Sequence, residues 1–230
     1  SLVDFSKLTA VKDYKFYAVF MKVNVHDLVT DLSKFTFTDY PYTELDWGDS
    51  SYNISGVMLT PKAGVQLSGK ITLPTEYEGK PVVCIGGFQD MHLAGVYWNN
   101  PQGDNPNCRV IGEYGFQNCV AKSADGSSRL SMFEFPSGLR NIGSNAFYGT
   151  RMNNIEAVNR FGKTALYRIG ENAFSLGFSF QEPINEFCIP GTVKYLGSHA
   201  IMFESVSPKS TLINTCLLYT SDAADEEDSV

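Results

Sequence analysis

The chain has little that would mark it for a membrane, a nucleic acid or a metal. Its longest apolar runs are four or five residues, as at positions 17–21, whereas a membrane helix needs about 20. Eighteen Lys and Arg stand against 25 Asp and Glu, and no cluster of bases gives the electrostatic footprint of a nucleic-acid binder. The three histidines, His26, His92 and His199, fall at no metal-ligating spacing such as HExxH. GxSxG, P-loop and GxGxxG sequences are missing, and no CxxC pair offers zinc or redox chemistry. No catalytic residue, cofactor or metal site is therefore assigned, and no enzymatic activity is expected.

What is present is aromatic. Sixteen Phe and twelve Tyr in 230 residues, with 43% apolar and 19% charged, describe a folded chain rather than a disordered polymer. The start at Ser1, without Met or signal peptide, reads as a fragment. Residues 216–226 resemble the in-frame translation of a sequencing-library adapter, so 216–230 are read as a non-native tail. Asp222, Asp225, Glu226, Glu227 and Asp228 lie there, leaving a formal charge of −2 for residues 1–215. Cys84, Cys108, Cys119 and Cys188 remain, too sparse for a secreted disulfide scaffold, and are expected as small buried apolar residues.

The strongest signal is a repeat. Ile-Gly recurs at Ile85-Gly86, Ile111-Gly112, Ile142-Gly143 and Ile169-Gly170, then as Leu196-Gly197, at intervals of 26, 31, 27 and 27. Three residues past the glycine in most copies stands a small residue followed by a large one: Gly115-Phe116, Ala146-Phe147, Ala173-Phe174 and Ala200-Ile201. A second signature precedes each copy, as in Leu130…Phe133-Glu134-Phe135-Pro136 and Ile184…Phe187-Cys188-Ile189-Pro190. Weaker versions are Ile71-Thr72-Leu73-Pro74, Leu93…Val96-Tyr97-Trp98 and Met152…Ile155-Glu156-Ala157.

Period-two apolar residues such as Phe133 and Phe135 mark a short strand with those side chains inward, and the following Pro ends its ladder. The Ile-Gly glycines serve either a positive φ or a close packing contact. Ser144 and Ser198 then fit as N-caps of a single helical or 3₁₀ turn. One such unit cannot bury its own apolar faces, but a stack of them can. The fold class follows: a β-rich, leucine-rich-repeat-like solenoid. Short parallel strands line one side, turns and short helical or 3₁₀ turns the other. Ile85, Ile111, Ile142, Ile169 and Leu196 should form one interior column.

The pattern LxxIxIP…xxIGxxAFxxC, carried best by 133–147 and 189–200 with Cys119 in its cysteine position, resembles the BspA-type leucine-rich repeat. The resemblance covers about residues 52–203, in about five units. It implies a bacterial cell-surface or secreted protein with an adhesive role. The expected ligand is a host or microbial protein or a glycan, bound by a monomer. Residues 1–23 are similar to the end of a Listeria–Bacteroides repeat module, a small β unit. Residues 24–51 are read as a linker or capping segment, with a short helix from the spacing of Val25, Leu28, Val29, Leu32 and Phe35. Residues 204–215 read as a truncated repeat.

Units here are longer than the family's compact form. The extra residues fall at 99–107, 121–129, 159–165 and 176–183, and their Gly, Pro, Asn and Asp mark most of them as surface loops. Outward strand positions form two columns, one with Lys70, Asn154 and Glu186 and the other with Thr72, Tyr97, Glu134 and Glu156. These seven residues are the candidate binding face, with Tyr97 and the 99–107 loop as its centre. Glu134 and Glu156 read as members of a solvated sheet face rather than as a glycosidase pair. Trp98 is assigned to the core. The alternatives to a binding module are a spacer in a multidomain surface protein, and an accessory part of an enzyme.

Overall fold

The computed structural model describes residues 26, 28–44, 49–180, 183–184, 187–207 and 213–215. The expectations for 1–23, for Glu186 and for the tail 216–230 lie outside them. The chain begins with an antiparallel hairpin of β1 (Phe35–Tyr42) and β2 (Ile54–Pro61). Among the described residues, the period-3.6 spacing expected to give a capping helix yields 3₁₀ geometry, at His26 and at Leu32–Lys34, with Leu28 and Leu32 exposed. Pairing wins because Phe35 can bury in the core as the first residue of β1.

From β2 onward the coils stack. After β3 (Ser68–Leu73) and β4 (Glu76–Tyr77) comes β5 (Lys80–Ile85), which lies parallel to β2. Next are β6 (His92–Trp98) and β7 (Val110–Ile111), a small hairpin of β8 (Ala121–Lys122) and β9 (Ser128–Arg129), then β10 (Met132–Phe133) and β11 (Asn141–Ile142). The last part holds α1 (Ile155–Phe161), β12 (Arg168–Ile169), β13 (Phe174–Phe180), β14 (Phe187–Ile189), β15 (Tyr195–Leu196), β16 (Ile201–Val206) and β17 (Ile213–Thr215). One wall of the solenoid is the sheet β1-β2-β5-β7-β11-β12-β15, in which all contacts from β2 on are parallel.

The Ile-Gly dipeptides are the rungs of this wall. Ile85 pairs with Ile111, Ile111 with Ile142, Ile142 with Ile169 and Ile169 with Leu196. The four isoleucines are buried and Leu196 is 56% exposed, since no described rung follows it. The column is therefore continuous. Of the two roles open to the glycines, close packing is the one used at Gly143, Gly170 and Gly197, while Gly86 and Gly112 have room for a Cβ. A Cβ on Gly143 would stand 2.5 Å from Glu113 N, on Gly170 2.5 Å from Ser144 N, and on Gly197 2.4 Å from Glu171 N.

The positive φ falls two residues later, on Tyr114, Asn145, Asn172 and His199, at 51–57°. That is why Ser144 and Ser198 cap no helix: a left-handed residue breaks the helical path, and successive tight turns form instead. The turns are also tied between coils, with Phe88 N–H donating to Gly115 O, Phe116 to Ala146 O and Phe147 to Ala173 O, each at 2.7 Å. Inside this corner the repeated phenylalanines stack. Centroids of Phe88, Phe116, Phe147 and Phe174 follow one another at 4.7, 5.5 and 5.0 Å with nearly parallel planes.

Parallel strands also line a second wall, as β3-β6-β10, β13-β16 and β14-β17. That wall is interrupted. Residues 152–157 read in the sequence as a strand, but from Ile155 they form α1. Asn154 caps it by accepting the Glu156 N–H, and Ala157, Val158 and Phe161 turn one face inward. The 159–165 insertion is thus partly helix, and Phe161 is core. Most of the 176–183 insertion is strand rather than loop: β13 carries Phe178 and Phe180 into the core and pairs with β16.

At the other corner residue 44 ties the N-terminal hairpin to the stack. Arg140 Nε lies 2.7 Å from Glu44 Oε2 with both side chains buried, and its guanidinium lies 4.0 Å from the Tyr52 ring centroid. Cys84, Cys108 and Cys119 are buried free thiols, and Cys188 is half-buried. Burial raises the first three well above the ordinary range, Cys84 and Cys119 to about 12. Among the described residues no helix is long and apolar enough to cross a membrane.

Candidate functional site

The sequence-derived columns form over three coils. Lys70, Gly95 and Met132 are in register across β3, β6 and β10. Thr72 is in register with Tyr97, and Glu134 follows the Phe133–Val96 pair. They do not make a solvated face. Thr72 and Glu134 are 3% and 2% exposed. His26 and Thr30 account for part of this: Thr30 exchanges hydrogen bonds with Thr72 at the edge of β3, and His26 lies over the end of β6. His26 Nδ1 is 3.0 Å from Trp98 O, its ring meets Tyr97 edge-on at 6.1 Å, and its Nε2 is 3.5 Å from Glu134 Oε1.

Glu134 is a buried clasp rather than a surface acid. Its Oε2 accepts the Trp98 N–H at 2.8 Å, and the Trp98 indole N–H donates to the Glu134 carbonyl at 2.9 Å. Gly103 closes over the carboxylate so tightly that a Cβ there would be 2.4 Å from Oε1. Burial raises the carboxyl above its ordinary range, against the opposing pull of the Trp98 N–H, His26 and Arg160. Glu156 is on no strand. It sits exposed in the first turn of α1, 3.2 Å from Arg160, whose other nitrogen binds Gly103 O at 2.8 Å. Asn154 is a helix cap. Lys70 is exposed, 6.0 Å from the centroid of the half-buried Tyr97 ring, and Trp98 is core as read. A closed carboxyl group engaged by a backbone N–H, with His26 and Arg160 beside it, offers no room for a substrate.

An open site lies elsewhere. A groove of about 990 Å³ is walled on one side by the hairpin tip, residues 126–129, and on another by Arg151, Asn153, Ile155 and Asn159. Ser179, Phe180, Pro183 and Ile184 line the third side, with Glu204 beside them. Three of the four sequence insertions, 121–129, 159–165 and 176–183, therefore meet at one place. Ile155 and Asn159, one helical turn apart on α1, share the groove-facing side, and Ile155 is 47% exposed. Arg151 Nε pairs with Glu204 Oε1 at 3.0 Å, and Arg129 is held by Asp125 and Ser127 of its own hairpin. The insertions were visible in the sequence as departures from the repeat. Their convergence was not, because it depends on α1 replacing a strand. No group of three or more His, Cys, Asp or Glu side chains among the described residues is placed to hold a metal.

Coils of 26–31 residues with parallel rungs and a groove built from insertions define a leucine-rich-repeat solenoid, a class whose extended surfaces bind other proteins. Residues 105–217, just under half of the chain, match the BspA type leucine rich repeat region in six copies. Among solved structures, the chain is similar to a leucine rich repeat protein of T. pallidum, at 23% identity and a TM-score of 0.46. The match covers 75% of this chain and 66% of that one, so this chain spans slightly under two thirds of that protein. No curated protein matches the chain.

Proposed function

We propose that the chain is a non-catalytic recognition module of a bacterial cell-surface or secreted protein, and that the insertion-built groove is where it takes its ligand. The observation carrying this is the meeting of three separate insertions around one open cavity on an otherwise regular scaffold. Extra residues on a repeat are the usual carriers of specificity, and neutral insertions would have no reason to share a site. The host or microbial proteins and glycans implied by the family resemblance are the ligand classes to test.

The test is surface plasmon resonance of the full chain against a panel of matrix proteins, bacterial surface proteins and glycans. Ile155→Arg, which fills the groove mouth from an exposed position, should abolish whatever binding is found. Lys70→Ala and Glu156→Ala, on the sequence-derived face, should leave it unchanged. A chain that binds nothing in the panel, or binds equally well with Ile155→Arg, is a spacer or uses another surface.

A further inference from the structure

We propose that the groove holds an extended peptide segment of a partner protein, alternating apolar with acidic residues, and that Arg151 receives one of its carboxylates. This rests on the groove being the recognition surface and names its ligand chemistry. The walls supply two kinds of contact. Ile155 and Pro183 give apolar surface, while the amides of Asn153 and Asn159 can serve a peptide backbone, which carries a donor and an acceptor at each residue. At about 990 Å³ and open to solvent, the groove stands at the upper end of the roughly 300–1,000 Å³ of small-molecule sites.

Its charges select the sign. Among the described residues Arg129, Arg151 and Glu204 line it, and Asp125 already holds Arg129, which leaves Arg151 as the base open to a ligand. Glu204 engages Arg151 through Nε, and the two terminal nitrogens of that guanidinium have no partner among the described residues. A guanidinium presents five donors in a planar fork, enough to hold one carboxylate along its side and another at its end. The existing pair is exposed, at 45% and 33%, so water screens it and a ligand can share or displace it at little cost. A sugar is the poorer fit. Carbohydrate rings stack on open aromatic faces, and the aromatic lining this groove, Phe180, is 3% exposed.

Fluorescence anisotropy with two degenerate octapeptide pools tests the assignment. Both carry Leu or Val at alternate positions, one with Asp or Glu between them and the other with Lys or Arg; an oligogalacturonate serves as the anionic sugar. The acidic pool should bind, Arg151→Ala should weaken it by about tenfold or more, and Glu204→Gln should tighten it several-fold by removing a competing carboxylate. Both side chains are exposed enough that the circular dichroism spectrum should not change. Binding of neither pool, preference for the basic pool or for oligogalacturonate, or weakening by Glu204→Gln overturns the proposal. So does acidic binding indifferent to Arg151→Ala. If a panel protein is lost with Ile155→Arg while the acidic pool fails to bind, the peptide chemistry is wrong and the groove reading stands.

Discussion

Gly143→Ala and Gly112→Ala are the same change at the same point of two adjacent coils, yet they should move stability in opposite directions. A Cβ on Gly143 meets backbone on the preceding coil: Glu113 N at 2.5 Å, and Glu113 Cα and Gly112 C at 2.8 Å. Comfortable contact is about 3.5–4.0 Å, so the coils must part by about 1 Å at a rung where Gly143 N–H donates to Ile111 O at 2.8 Å. Overpacking of about 1–3 kcal/mol, with one or two weakened ladder bonds at about 0.5–1.5 kcal/mol each, gives a loss of about 3 kcal/mol. On Gly112 the new Cβ meets only Ile85 O at 3.6 Å and Gly86 Cα at 3.9 Å. In the shortened first unit the position that corresponds to Glu113 is Gly87, at φ +78°. Gly112 itself is not in the left-handed region, so Ala should fit and stiffen the unfolded chain, a gain of about 0.4–1 kcal/mol. Urea unfolding followed by fluorescence of the buried Trp98 reads both. Equal losses at the two sites, or an indifferent Gly143→Ala, would refute close coil packing as the role of these glycines.

Three further outcomes are expected. Phe147→Ala and Phe174→Ala should each cost about 3–5 kcal/mol, because both rings are fully buried in the stacked column, whereas Phe37→Ala, at a half-buried ring, should cost less in the same urea titration. Glu134 holds its proton more tightly folded than unfolded, so its contribution to stability is present below its ordinary value of 4.5 and fades as pH rises above it. Glu134→Gln keeps an oxygen for the Trp98 N–H and should flatten the fall in urea midpoint over that range; an unchanged slope assigns the fall to other groups. Cys84, Cys108 and Cys119 should resist DTNB at pH 8 in the native state and react once urea unfolds the chain, since all three are buried with raised thiol pKa values. Fast native labelling of any of them would place it nearer the surface than the structure does.

The coil interior was legible because a repeat writes its constraint many times over. Each rung isoleucine faces another of its kind, so the column and the choice of Phe116, Phe147 and Phe174 as core followed from spacing alone. The candidate face fared differently. Period two correctly put Tyr97 and Glu134 on one side of their strands, but a strand's outer side is solvated only if nothing covers it. His26 is 108 positions from Glu134, and a pairing at that separation leaves no local periodicity to detect. The same holds for Glu44 and Arg140, brought together across 96 positions.

The sequence by itself determined that the chain is a solenoid, where its rungs fall and which segments exceed the repeat, since those properties depend on side-chain period and on neighbours that are copies of one another. Only the tertiary structure decided that residues 155–161 are helix and that most of 176–183 is strand. It likewise decided that Glu134 is closed off and that three insertions open onto a common groove. Each of those turns on which unlike segments meet, and burial of Ala157, Val158 and Phe161 against the stack outweighed the weak strand pattern their own residues carry.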